Sequence, residues 1–258
     1  MNITRRARSL SVIVAGMCCL GWLFSASLPA SAADFQVYPI TLELGPSAKS
    51  GVFTVMNASQ EKLNFQISVS EWTQDAEGKD VYTDTSDIVF FPKIMTLEAG
   101  EQRVVRVGIK GFQQPQEKTY RIFMEQIPER KKKEAGVNIA IAFRFAPPIF
   151  VKPAVVKTAG AIDAIQLSNG TVKAIVKNTG NVHFKILSIF IKGKAADGSE
   201  VFSKELGGWY LLNHGSRTLE ASIPQEKCAQ LSTVEIEART ENFNINGKLN
   251  VRKGMCSQ

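Results

Sequence analysis

Chemistry has few places to start in this chain. His183 and His214 are its only histidines. The first follows Asn178-Thr179-Gly180-Asn181 and the second sits in Asn213-His214-Gly215, so both read as solvated side chains near turns. A metal centre built on imidazoles, including the copper–zinc type found in some β-sandwiches, needs a denser ligand set. A G-x-S-x-G elbow and a phosphate-binding glycine loop are both absent, and the acidic residues are scattered rather than paired in a motif. No catalytic residue, metal, cofactor or small-molecule substrate is expected. Sulfur chemistry is better defined. Of four cysteines, Cys18 and Cys19 lie near the N-terminus and Cys228 and Cys256 near the C-terminus. If the first pair is removed with a leader, the second has one intramolecular pairing available in an oxidising compartment. That disulfide would stabilise the fold by roughly 3.5 kcal/mol on the chain-entropy argument.

A more telling pattern is physical rather than reactive. In Val137-Asn138-Ile139-Ala140-Ile141-Ala142-Phe143-Arg144-Phe145, large apolar side chains occupy the odd positions and small or polar ones the even positions. Such period-two alternation predicts a β-strand with one apolar face. Arg130-Lys131-Lys132-Lys133 leads into it, and Pro147-Pro148 closes it. The basic run reads as a solvated loop, or as an adjustable arm beside the strand. The apolar face can fill this protein's own core, or it can be lent to another polypeptide.

The N-terminus carries export signals. Arg5, Arg6 and Arg8 precede an apolar stretch over 12–24, and Ala30-Ser31-Ala32 is an A-x-A cleavage signal. Residues 1–32 are therefore expected to be a signal peptide rather than a membrane anchor, with the mature chain starting at Ala33. Arg8 sits where a twin-arginine signal wants an apolar residue, and Met17 before Cys18 argues against lipidation. Losing three arginines takes the net charge from +7 to 7 − 3 = +4. That is too mild and dispersed a charge to imply nucleic acid.

The elements that must position the alternating strand are themselves strands. Candidates cover 35–44, 51–56, 64–72, 88–91, 103–108, 120–126 and 137–145. After Pro153 and a small-residue stretch, a second series covers 164–167, 172–178, 184–192, 200–206, 209–212, 216–223, 234–239 and 246–251. Turn residues such as Glu77-Gly78-Lys79-Asp80 and Ser168-Asn169-Gly170 separate them. The expectation is an all-β chain of two tandem immunoglobulin-like β-sandwich domains, 33–153 and 154–258. Asn57 and Asn178 both end a strand before a turn, a faint trace of repetition.

Several segments resemble the PapD-like periplasmic chaperones of the chaperone–usher pilus pathway. The carriers are Val37-Tyr38-Pro39-Ile40-Thr41-Leu42, Phe53-Thr54-Val55-Met56-Asn57, Leu97-Glu98-Ala99-Gly100-Glu101-Gln102-Arg103-Val104-Val105-Arg106-Val107 and Tyr120-Arg121-Ile122-Phe123-Met124-Glu125-Gln126-Ile127-Pro128, followed by the alternating strand. The resemblance implies a non-enzymatic periplasmic chaperone that stabilises pilus subunits and passes them to an outer-membrane usher. It makes 137–145 the strand donated into an incomplete subunit, with Val137, Ile139, Ile141, Phe143 and Phe145 as donors. Well-studied members hold the subunit's terminal carboxylate with a basic pair, but Thr41 and Pro148 stand at those positions here. Arg121, Arg144 and Lys152 are the substitutes nearby in sequence. Pro148 and the Asn178–His183 segment resemble the archaic branch. Self-association of the free chaperone would hide the apolar strand. A pilin or adhesin is the alternative, as is a carbohydrate-binding sandwich using Trp72 and Trp209.

Overall fold

The computed structural model describes residues 35–111, 114–128, 141–252 and 254–256. The candidate signal peptide, the basic run, Val137 and Ile139 lie outside the described residues. The first half contains β1 (Phe35–Tyr38), β2 (Leu42–Leu44), β3 (Ser50–Asn57), β4 (Leu63–Gln74), β5 (Asp80–Asp84), β6 (Ile88–Phe91), β7 (Ile94–Leu97), β8 (Gln102–Ile109), β9 (Lys118–Ile127), β10 (Arg144–Phe145) and β11 (Pro148–Val151). The second contains β12 (Gly160–Ser168), β13 (Thr171–Asn178), β14 (Phe184–Lys194), β15 (Glu200–Gly207), β16 (Tyr210–Leu211), β17 (Ser216–Ser222), the short helix α1 (Gln225–Cys228), β18 (Thr233–Thr240) and β19 (Asn244–Asn250).

Alternation explains how the first sandwich closes. On β3, Phe53 and Val55 are buried while Val52 faces solvent; on β8, Val105 and Val107 point in while Val104 points out. Residues of like parity therefore share one face, and two such faces can enclose a dry layer. A four-stranded sheet in the order β1-β3-β8-β6 covers a seven-stranded one in the order β2-β11-β9-β4-β5, with β10 paired to β9 and β7 to β4. Phe53, Phe65, Leu97, Ile122, Met124 and Ile149 fill the space between them.

The expected first strand over 35–44 is in fact two strands serving different sheets. β1 pairs antiparallel with β3, and β2 pairs parallel with β11. Pro39 lies between them and, lacking an N–H, cannot continue a ladder. β5 and β7 were not anticipated: β5 is mostly exposed and carries little apolar alternation.

The second sandwich packs the sheet β12-β13-β17 on β15-β14-β18-β19, with β16 paired to β14. Val172, Ala174 and Val176 from one side meet Ile186, Ile189, Ile191, Val234 and Ile236 from the other. Its first hairpin turns through Asn169 and Gly170, both at positive φ, which suits a tight two-residue connection. Cys228 and Cys256 are disulfide-bonded, with Cα atoms 5.6 Å apart. The paired sulfurs pin the chain's end to α1, as the cysteine count implied.

The strand-ending asparagines do similar work in the two halves. Asn57 is fully buried, and its amide donates to the carbonyls of Glu61, Leu97 and Glu98 at 2.8, 3.2 and 3.0 Å. Asn178 donates to Val182 and Leu211 at 2.8 and 3.0 Å, and its Oδ1 accepts from Gly180 N–H. Each satisfies turn carbonyls that burial would otherwise leave unpaired.

Candidate functional site

β9 sits in the middle of the larger first-half sheet, flanked on one side by β4 and on the other by β10 and β11. Its odd residues Arg121, Phe123 and Glu125 lie opposite Ser70, Ser68 and Gln66, on the face away from the Tyr120, Ile122 and Met124 core. That outer face is aromatic. Tyr82 meets Phe123 edge-on at 5.4 Å, and the Arg144 guanidinium lies 4.0 Å from the Phe123 centroid.

Beside this face runs the described part of the alternating segment, of which Arg144–Phe145 is strand and 141–143 is not. Ile141 is 71% exposed and Phe143 41% exposed. The Phe143 carbonyl accepts from Gln126 N–H at 2.9 Å, and β10 pairs through Arg144–Glu125 and Phe145–Met124. Among the described residues no second strand pairs with the other side of β10, for β2 reaches no further than β11, and Ile141 and Phe143 are exposed there. Phe145 differs from its neighbours in the series, for it packs partly buried against the first core.

The three candidate cations have different surroundings. The register sets Arg121 directly across from Pro148. Arg121 is buried, with its guanidinium 3.9 Å from the Trp72 ring centroid and 5.8 Å from those of Trp209 and Tyr210. Its Nη1 donates to the Ala146 carbonyl at 2.7 Å, while Nε is buried without a partner. Burial lowers its pKa below the ordinary guanidinium value, and the neighbouring Tyr82 and Asp80 oppose that shift. Arg144 is ion-paired with Glu125 and Lys152 with Glu43, both at 2.7 Å and both well exposed. Exposed pairs of this kind are easily exchanged for another anion.

Several participants carried no local sequence signal. Tyr82 sits on an unanticipated strand, and Tyr210 joins Trp72, Phe150 and Leu212 in a small cluster between the two halves. Glu117 and His183 meet there although they are 66 residues apart. Trp72 is fully buried, so it offers no platform to a sugar. Trp209 is half exposed and its Nε1 donates to Asp80 at 3.2 Å.

Residues 34–157 match the family described as "Pili and flagellar-assembly chaperone, PapD N-terminal domain". No curated protein sequence matches the chain. Solved structures of similar fold include a chain of the CsuC–CsuE chaperone–tip adhesion subunit pre-assembly complex from archaic chaperone-usher Csu pili of Acinetobacter baumannii. The two chains are 18% identical with a TM-score of 0.58, over 83% of this chain and 98% of that one. The Class 5 fimbriae chaperone CfaA is similar at 18% identity and TM-score 0.56, over 84% and 99%. A chain of the Salmonella enterica SafA pilin–SafB chaperone complex is similar at 14% identity and TM-score 0.55, over 85% and 98%. These likenesses speak to the fold. The family match covers the first sandwich, and it is that part of the chain which carries a PapD-type chaperone N-terminal domain.

Proposed function

We propose that this protein caps pilus subunits in the periplasm by lending them the strand 137–145, then delivers them to an outer-membrane usher. One observation carries the reading: Ile141 and Phe143 stand exposed just before β10, which among the described residues pairs with β9 alone. A subunit whose sandwich lacks a strand would gain ladder hydrogen bonds from that segment and core side chains from its odd positions. Val137 and Ile139 continue the same parity. Five donors at ~1.5–3 kcal/mol each give about 8–15 kcal/mol gross, much of which ordering and association consume. Phe145 would contribute from the base of the strand, where it joins the chaperone's own core.

Arg121 is the favoured anchor for the subunit's terminal carboxylate. Its place across from Pro148 and its unpartnered Nε support that role, with Arg144 and Lys152 as exchangeable partners nearby. Export through residues 1–32 and a domain boundary near residue 153 complete the reading, and the chain is placed in the archaic branch. The free chaperone would shield Ile141 and Phe143 by self-association, since an open apolar edge promotes aggregation. An apolar outer face on the four-stranded sheet, with Tyr38 77% and Phe91 72% exposed, supports a second partner such as the usher.

The test is co-expression with a pilus subunit encoded beside it. The double variant Ile141→Ser/Phe143→Ser should remain folded yet fail to recover soluble subunit. Undiminished recovery of the subunit would sink the reading. A pilin would instead polymerise on purification rather than form a stoichiometric heterodimer.

A further inference from the structure

The first sandwich has a second opening, away from the 141–145 segment. It lies where β9 begins, whereas β10 pairs with Met124 and Glu125 toward the end of β9. The cavity there measures about 660 Å³, within the ordinary range of small-molecule sites. Backbone bonds join the segments that frame it. Ile109 N–H donates to the Lys49 carbonyl at 3.0 Å, Lys110 N–H to the Asp87 carbonyl at 2.6 Å, and Lys152 N–H to the Leu44 carbonyl at 2.8 Å. Gly45 suits the last of these crossings, for a Cβ there would fall 3.2 Å from the Lys152 carbonyl oxygen. The frame therefore stands ready before any ligand arrives.

Its lining is of two kinds. Ile109 and Val151 are partly buried and pack against the first core, which makes one wall apolar. The charge comes from four lysines, Lys49, Lys110, Lys118 and Lys152, set against the single carboxylate of Asp87. That carboxylate is already engaged: its Oδ2 accepts from Lys118 Nζ at 2.7 Å and from the Tyr120 hydroxyl at 2.9 Å. Lys152 is ion-paired with Glu43 at 2.7 Å. Lys49 and Lys110 are in no ion pair among the described residues. The Lys49–Ile109 backbone bond makes these two cations near neighbours, and their mutual repulsion is relieved by an anion placed between them.

We propose that this cavity binds a small anionic amphiphile, with its carboxylate or phosphate head at Lys49 and Lys110 and its apolar tail against Ile109 and Val151. Ammonium groups act as point charges and lack the planar fork that would choose between the two heads. The tail supplies selectivity over inorganic anions, because each methylene buried on the apolar wall adds to affinity. The site is separate from the strand lent to a subunit and stands whether or not a subunit is bound.

Titration calorimetry of the purified full chain tests it with octyl phosphate, octanoate and inorganic phosphate. The two amphiphiles should bind one per chain, and inorganic phosphate about tenfold more weakly or less. Lys49→Gln/Lys110→Gln should weaken both amphiphiles by about tenfold or more. Lys204→Gln/Lys227→Gln removes as much charge from exposed positions of the second sandwich and should leave binding unchanged. Amide NMR of the wild type gives a readout free of any variant, with octyl phosphate shifting residues 109, 110 and 151. Flotation with phosphatidylglycerol vesicles separates the sources of the head. Co-flotation that is lost in Lys49→Gln/Lys110→Gln assigns it to a membrane lipid, and no co-flotation assigns it to a free acid. The proposal is overturned by the absence of saturable binding or by equal affinity for inorganic phosphate. Binding that survives Lys49→Gln/Lys110→Gln, that falls equally in Lys204→Gln/Lys227→Gln, or that shifts amides only elsewhere also overturns it.

Discussion

The two sandwiches finish their sheets in opposite ways. At the edge of the second, β19 turns Ile245 inward and Asn244, Asn246, Lys248 and Asn250 toward solvent, and the chain beyond is tied down by the Cys228–Cys256 disulfide. At the edge of the first, residues 141–144 are all exposed, Ile141 and Phe143 among them, beside a short strand that among the described residues pairs with β9 alone. A polar, stapled edge resists further pairing, whereas an apolar open one invites it. The second sandwich thus ends on a polar edge, and the first carries an exposed apolar segment beside its larger sheet.

That contrast can be broken by experiment. The largest effect should come from Ile141→Ser/Phe143→Ser, which removes about 3–6 kcal/mol of transfer free energy, or a hundredfold or more in subunit affinity. The thermal midpoint should stay near wild type, and a matching drop in stability would show that these side chains serve the protein's own core. Next, Cys228→Ala/Cys256→Ala should cost roughly 3.5 kcal/mol on the chain-entropy argument. Denaturant melts should show that loss in the second sandwich while subunit binding persists.

Asn57→Ala and Asn178→Ala sharpen the comparison further, at about 1–3 kcal/mol each for the buried carbonyls left unpaired. Each should destabilise its own half, as hydrogen exchange resolved by segment would report. The smallest effect concerns acid. Hydrogen bonds from Lys118 and Tyr120 hold the Asp87 carboxyl below its ordinary pKa. Its contribution is therefore present above the usual carboxylate range and is lost as pH falls through the lowered value. Asp87→Asn should flatten the acid limb of the first sandwich's stability curve, measured by urea melts from about pH 2 to 6, and leave the second unchanged.

Much of the architecture could be read from alternation. Strands such as β3, β8, β13 and β18 appear in the sequence because their buried residues recur at every second position. β5 escaped because its residues are largely exposed and nothing forces their pattern. The division of 35–44 into two strands escaped because alternation says which residues share a face but not which sheet they join. The candidate site was half legible. The alternating apolar residues of 137–145 and the three candidate cations Arg121, Arg144 and Lys152 were visible in the sequence, whereas Tyr82, Glu117 and Tyr210 became neighbours only through packing.

The sequence by itself determined an all-β chain, one available disulfide outside the N-terminal segment, and a segment whose large apolar residues recur at every second position. Only the tertiary structure decided what covers those residues, setting Phe145 against the core while leaving Ile141 and Phe143 in solvent. It also decided that Glu117 and His183 share a buried seam. The physical reason is common to both. Local pattern records the preferences of neighbouring residues, but burial and charge compensation are settled by groups that are distant in sequence.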